Sequence, residues 1–235
     1  MSSFALKILA MATMLTDHIG AVLEPQLPAW AFLLCRTVGR LAMPLFCFMI
    51  AEGLFHTRDA KRYLLRLTLF ALVSEVPYDL VKTGQWLEFT DQNVGFTLLL
   101  GFLGILLFDS FAAQGRKGAA LVSIIAVASA AYLVRSDYSI FGVYYIFIFY
   151  YFRNNHIGRT IALAAGVLLL SADMMLAGAH WRYALISLTA VLAAIPIMLY
   201  SNERGRDGKA MRAAFYAFYP LHLMVLYAVR LWAGL

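Results

Sequence analysis

Apolar runs of about 15 to 22 residues follow one another from end to end of this 235-residue chain, with short polar links between them. Each approaches the ~20 residues that a helix needs to cross a hydrocarbon core. The pattern predicts nine spans, at about 4–23, 31–55, 62–82, 94–111, 118–134, 139–152, 159–177, 181–200 and 213–233. The sixth is short for a full crossing unless its flanks tilt or extend, and it reads equally as a partial or broken element. No polar stretch is long enough for a soluble domain, and no repeat recurs at a fixed period. The expected fold is all-α, a polytopic membrane helical bundle, with residues 1–235 as one domain.

The informative positions are those that break the apolar pattern. Asp17 and His18 lie inside FALKILAMATMLTDHIGAVL, and the next span carries Arg36, Arg40 and Glu52. An ionisable group at membrane depth costs about 2.5–3.5 kcal/mol on insertion scales, so it faces a partner or a wet cavity. Several in the first two spans suggest a built site. Arg36 and Arg40 are four apart, hence on one helix face, and Glu75 and Asp79 in LVSEVPYDL share that spacing. Two like-charged pairs on neighbouring helices suit two cross-helix ion pairs. Asp17 and His18 are adjacent, so their side chains diverge by about 100°. Asp17 therefore answers an arginine, and His18 is oriented from another helix. Asn93 and Asp137 fall at helix ends, whereas His222 sits near the middle of the last span, after Pro220. It either lines the same cavity or caps a carbonyl that the proline frees. For the whole set the plainer alternative is helix clamping, since buried ion pairs also fix register. His56, His156 and His180 lie at span ends and read as ordinary, and YYIFIFYYF (144–152) reads as interfacial belt and packing.

Composition agrees with the pattern: 63% hydrophobic, 14% charged and a mean hydropathy of +0.76, against roughly 25% charged for a soluble domain. The first segment has ionisable residues in its second half and no small-x-small cleavage site, so it is not expected to be a signal peptide. A net charge of +6 would suggest nucleic acid in a soluble protein, but the positions of the charges exclude that reading here. Lys7, Arg58, Lys61, Arg62, Arg66, Arg116, Lys117, Arg153, Arg159, Arg204, Arg206, Lys209 and Arg212 flank one side. The opposite links hold Lys82, Arg135 and Arg182, with Arg230 near the end of the last span. The expected orientation places the N-terminus in the cytoplasm and the C-terminus outside. Cys35 and Cys47, about 18 Å apart along one expected helix, cannot bridge each other. Walker A, dinucleotide-glycine, HExxH and paired CxxC motifs are missing, which leaves ATP-driven transport and zinc hydrolysis unsupported and no metal expected.

The stretches LKILAMATMLTDHIG, RTVGRLAMPLFCFMIAEGLFHTRDAKRYLLRL, LFALVSEVPYDL, DYSIFGV and FYAFYPLHL resemble the TraX family, typified by the F-pilin N-acetyltransferase of conjugative plasmids. The resemblance runs through nearly the whole chain in order, and the family looks related to a wider group of membrane acyltransferases. It implies an inner-membrane enzyme that draws acetyl-CoA from the cytoplasm and acetylates an amine, such as a pilin-like N-terminus, on an acceptor at or across the bilayer. It places His18 at the matching catalytic motif. The chemistry agrees: acyl transfer needs a base and donors for the developing oxyanion. His18 is then the base. Arg40, with Arg36, stabilises the oxyanion or a cofactor phosphate, held by Asp17 and Glu75. Arg58, Lys61, Arg62 and Arg66 lie where the coenzyme A phosphates could dock, although their plainer and favoured reading is as topology determinants alone, and Asp79, Asn93, Asp137 and His222 are expected to support the site. O-acetylation of a glycan or lipid headgroup is the alternative within enzymology. A proton-coupled transporter or flippase is the alternative of another class, since intramembrane Asp/Glu/His chains also relay protons; a scaffold of a pilus or secretion machine ranks last.

Overall fold

The computed structural model describes residues 1–203, 205 and 208–234. Arg204 and Arg206, two of the basic residues used above for orientation, lie outside the described residues. Among the described residues every regular element is helical. Nine rods follow one another in the expected order. They are α1 (Ser3–Val22), the broken rod α2 (Ala29–Gly39) and α3 (Ala42–His56), α4 (Ala60–Thr83), α5 (Val94–Ala113), α6 (Lys117–Leu133), α7 (Ser139–Tyr151) and α8 (His156–Leu176). A second broken rod, α9 (Trp181–Leu188), a 3-10 turn (Thr189–Ala193) and α10 (Ala194–Met198), precedes α11 (Lys209–Trp232). On length and apolarity six qualify as membrane crossings: α1, α2–α3, α5, α8, α9–α10 and α11. The other three fall short of the expected nine for different reasons. α4 has the length but carries Lys61, Arg62 and Arg66 at one end and Glu75, Asp79 and Lys82 at the other. α6 and α7 are apolar but only 17 and 13 residues long.

Local chemistry explains where the rods begin and break. Ser2, Asp59, Asn93 and Asn155 each accept a backbone N–H in the first turn of α1, α4, α5 and α8, satisfying donors that a helix start leaves open. Gly84 closes α4 in the left-handed region at φ +74°, where glycine carries no Cβ penalty. The second span, expected as one helix, breaks at Arg40–Leu41. Pro44 has no N–H for the Arg40 carbonyl, and the ladder tightens there, with the Leu41 N–H bonding to the Val38 carbonyl at 3.3 Å. Pro196 sits similarly after the 3-10 turn of the second broken rod. The break leaves Cys35 and Cys47 in separate helices, both as free thiols.

α1 packs against α2, α3 and α11, while α4 lies between α5 and α11. α7 is enclosed by α3, α5, α6 and α8, and Tyr145, Ile146 and Phe149 are almost wholly buried there. Its shortness follows from that position, because a helix shielded by protein need not match the bilayer. The aromatic run 144–152 is accordingly more core than belt. Outward faces are apolar, with Leu65, Leu69 and Val73 exposed on α4 and Leu121, Val122 and Ile125 on α6.

Hydrogen bonds tie the two ends of the bundle together. At one end Ser3 N–H donates to the Glu203 carbonyl (2.7 Å) and Ser201 N–H to the Met1 carbonyl (2.9 Å), while His56 and Asn202 side chains meet at 3.0 Å. At the other, Gln26 donates to the Ala233 carbonyl (3.3 Å), and Tyr183 donates to Glu24 (3.1 Å). The termini therefore lie at opposite ends. Four tryptophans occur in the chain. Trp30, Trp86, Trp181 and Trp232 all stand exposed at the C-terminal end of the bundle, away from the basic links.

Candidate functional site

The close approach of α1 and α2 creates the centre of the site. A Cβ on Gly20 would sit 2.7 Å from the Cβ of Cys35, and one on Gly39 would sit 2.2 Å from that of Asp17. Small residues let two helix backbones meet, and here Gly39 makes the space that the Asp17 carboxylate fills. Asp17 then binds both arginines of α2. Arg36 Nη1 donates to Oδ2 at 2.8 Å and to the Asp17 carbonyl at 3.2 Å. Arg40 Nη2 reaches Oδ1 at 2.6 Å and Oδ2 at 2.7 Å. Arg40 Nη1 also donates to the Tyr138 hydroxyl at 3.4 Å, and its Nε is buried with no hydrogen-bond partner. Gly39→Ala is expected to push the carboxylate aside and destabilise the fold by about 1–3 kcal/mol, as overpacked sites do. An unaltered thermal midpoint in detergent would contradict the contact.

The expected pairing of Arg36 and Arg40 with Glu75 and Asp79 does not form. Equal spacing puts each pair on one face of its helix without saying which way that face turns, and α4 packs on α5 and α11 rather than on α2. Glu75 instead accepts the Asn93 backbone N–H at 3.2 Å and the Asn93 side-chain amide, whose nitrogen also donates to the Ala71 carbonyl at 2.8 Å. Asp79 accepts the Glu88 N–H at 2.8 Å. Glu75, Asp79 and Asn93 thus staple the α4–α5 link and do not line the cavity described below.

His18 points away from Asp17, as adjacent helix positions require. Its Nδ1 lies 2.6 Å from His222 Nε2 on α11, and the two rings meet edge to edge and nearly coplanar, with centroids 4.9 Å apart and planes 5° off parallel. The other nitrogen of His222 is 2.8 Å from the Phe218 carbonyl. That carbonyl is one turn back on the same helix, and it is not the Tyr216 carbonyl that Pro220 deprives of a donor. His222 is buried behind His18 and does not line the cavity.

A cavity of about 1080 Å³ joins this centre to the basic end of the bundle. One stripe of α1 follows it: Ser3, Lys7, Met11, Met14 and His18, at helical spacings and about 22 Å long. Asp17, Arg36, Arg40, Asp137 and Tyr138 surround its histidine end, and Arg58, Arg62, Arg66, Lys209 and Arg212 surround its mouth. Lys61, expected with Arg58 and Arg62, is one helix position off this face and does not line the wall. Glu52 lines the wall near the mouth, held by Arg153 at 2.9 and 3.2 Å. In the link before α7, Arg135 and Tyr138 have φ of +53° and +60°, and Ser139, the first residue of α7, has +42°. Such strain persists where surroundings over-determine it, often at functional sites. Thr97 donates to the Asp137 carbonyl, and the link is bridged to Gln92. Burial pushes the Asp137 carboxyl above its ordinary value, and burial likewise pushes the Tyr138 hydroxyl up to about 12. Sequence reasoning missed Tyr138, Gly39 and the cavity role of Lys7, Lys209 and Arg212. The stripe on α1 is the signal from which Lys7 was recoverable.

Among the described residues no group of three or more His, Cys, Asp or Glu side chains has the arrangement of a metal site. No solved structure matches the chain. The relative described as "Probable fimbrial assembly protein FimC, serogroup H1", from Dichelobacter nodosus, is 30% identical over 241 residues, which cover 98% of this chain and 96% of that protein. A family model described as "TraX protein" matches residues 2–230, and on both counts the chain belongs to the TraX protein family.

Proposed function

We infer that this protein is a membrane-embedded acyltransferase that moves an acetyl group from acetyl-CoA to an amine, such as a pilin-like N-terminus, at or across the bilayer. The observation that carries this reading is the continuous cavity between a basic mouth and an inner end holding His18 and two guanidiniums. A nucleotide thioester needs both ends: cations for its phosphates, and a base with oxyanion donors for its acyl carbon. Arg58, Arg62 and Arg66 would take the phosphates, joined by Lys209 and Arg212. The acyl arm would run along the α1 stripe past Met11 and Met14 toward His18.

Beside His18 the amine nitrogen attacks the thioester carbonyl carbon. The new N–C bond forms, His18 takes the proton from nitrogen, and the C–S bond breaks to release the thiolate. His18 then returns the proton to sulfur, so that coenzyme A leaves as the thiol. Two arginines face one carboxylate at Asp17, which leaves positive charge to meet the oxyanion. Arg40, which lines the cavity beside His18, is the donor residue proposed for it. The positive-inside distribution supports a cytoplasmic mouth and N-terminus, in a bacterial inner membrane. The fimbrial assembly role named for the Dichelobacter nodosus relative supports an acceptor that belongs to a pilus or fimbria.

The test is thioester consumption. Detergent-purified protein is supplied with acetyl-CoA and a synthetic peptide bearing a free N-terminal amine. Thiol release and a peptide one acetyl group heavier are expected, with the acetyl on the amine. Acetyl on a serine hydroxyl would turn the reading toward O-acetylation. Protein that neither binds nor consumes acetyl-CoA, yet carries pH-driven flux in vesicles, would sink the enzyme reading in favour of transport.

A further inference from the structure

We propose that His222 is the positioning residue of this site, fixing His18 in one tautomer and sharing the proton that His18 takes up. The proposal rests on the acyl-transfer reading for its kinetic part, while its tautomer part stands on geometry alone. The chain of deduction starts at the Phe218 carbonyl, which only accepts. With His222 Nδ1 at 2.8 Å from that oxygen, Nδ1 carries the hydrogen. In a neutral imidazole Nε2 is then a bare lone pair. Nε2 faces His18 Nδ1 at 2.6 Å, so the hydrogen of that contact belongs to His18. His18 Nε2 is left as the lone pair, on the one ring of the two that lines the cavity. A single backbone carbonyl thereby sets the protonation pattern of both rings.

Catalytic histidines are commonly oriented by a carboxylate on the far nitrogen. Here no carboxylate holds that place. Asp17, the nearest in sequence, is occupied by Arg36 and Arg40. His222 takes the position instead, and its own ring is held between Phe218 (stacked, 4.9 Å) and Tyr219 (edge-on, 5.6 Å). When His18 Nε2 removes a proton from the acceptor, the Nδ1 proton is able to cross the 2.6 Å contact to His222 Nε2. The positive charge then sits on His222, one ring farther from Arg36 and Arg40, and His18 is a neutral donor at Nε2. That donor returns its proton to the leaving sulfur, and the Nδ1 proton crosses back. The charged and titratable groups facing the pair are Arg36 and Arg40 beside His18, Asp17, Asp137 and Tyr138 along the same end of the cavity, and Tyr219 against both rings, which in turn faces Asp137, Tyr78 and Glu75.

Two measurements test this. Nitrogen-15 NMR of histidine-labelled protein in lipid bilayers, with His18 assigned by its loss in His18→Gln, reads the tautomer whether or not the protein is an enzyme. The expected spectrum has His18 protonated at Nδ1 and bare at Nε2 near neutral pH. The reverse tautomer overturns the proposal. The second measurement is turnover. His222→Phe keeps an aromatic ring packed against Phe218 and Tyr219 but removes the acceptor nitrogen, and is expected to lower kcat by about 10²-fold or more with acetyl-CoA affinity unchanged. His222→Gln restores an acceptor for Nδ1–H without a proton site, and should recover part of kcat while moving the midpoint of its pH profile. Wild-type kcat in His222→Phe, or an unmoved midpoint in His222→Gln, overturns the kinetic role. Should His222→Phe fail to fold, the glutamine midpoint and the NMR tautomer still decide. Failure of the acyl-transfer reading is distinct, because there the wild-type protein itself releases no thiol.

Discussion

His18→Ala is expected to slow acetyl transfer by about 10²–10⁴-fold, the range that a positioned general base supplies. Affinity for acetyl-CoA should hardly change, because the phosphates are expected to bind at the far end of the cavity, about 22 Å away along α1. The measurement is steady-state thiol release alongside equilibrium binding of acetyl-CoA. A loss confined to kcat fits a group acting on the transferred proton, whereas a loss confined to binding would place His18 on the donor's path and remove it as the base. The arginines supply a contrast. Arg40→Lys keeps a charge but loses the second nitrogen, which reaches the Tyr138 hydroxyl while Nη2 holds both Asp17 oxygens, so it should lower both stability and kcat. Wild-type turnover in His18→Ala would leave the site without its proposed chemistry.

Asp17→Ala carries the largest expected stability effect, a loss of about 3 kcal/mol or more. The carboxylate neutralises two guanidiniums whose side chains are only 20% and 16% exposed. Its removal leaves both cations in a protein interior without their ion-pair partner and opens a void against Gly39. Asp17→Asn keeps the shape and restores some hydrogen bonds, so its loss should be smaller. Thermal unfolding in detergent, followed by helical circular dichroism, gives the order wild type, Asn, Ala. An Ala variant as stable as the wild type would mean that the arginines find other partners. The same substitution raises the positive charge near His18, which disfavours a protonated imidazole. A kcat deficit beyond the stability loss is the expected mark of that effect.

The α1–α2 half of this site was legible from local geometry. Adjacent residues on a helix diverge, so Asp17 and His18 had to serve different neighbours, and a carboxylate at that depth had to meet an arginine. Glu75 and Asp79 show where such reasoning stops. The i, i+4 rule establishes a shared face, but the direction of that face depends on how α4 rotates against α5 and α11, which is a property of packing. His222 was visible as a polar residue in an apolar span, yet its contact with His18 joins positions 204 apart in the chain. The break at Arg40–Leu41 did have a signal in Pro44, one turn downstream. The shortness of α7 likewise had a physical cause that only the assembled bundle displays, namely enclosure by four other helices.

The gathering of Trp30, Trp86, Trp181 and Trp232 at one end of the bundle gives the protein a one-sided optical label. Indole rings favour the headgroup level of a bilayer, so the tryptophan emission arises from a single leaflet. Iodide added outside sealed vesicles should therefore quench the fluorescence of molecules in one insertion direction and spare the other. The proposed cytoplasmic mouth makes the sign definite: right-side-out vesicles are quenched, inverted ones are not. Orientation in the membrane becomes a reading on a fluorimeter, without any added probe.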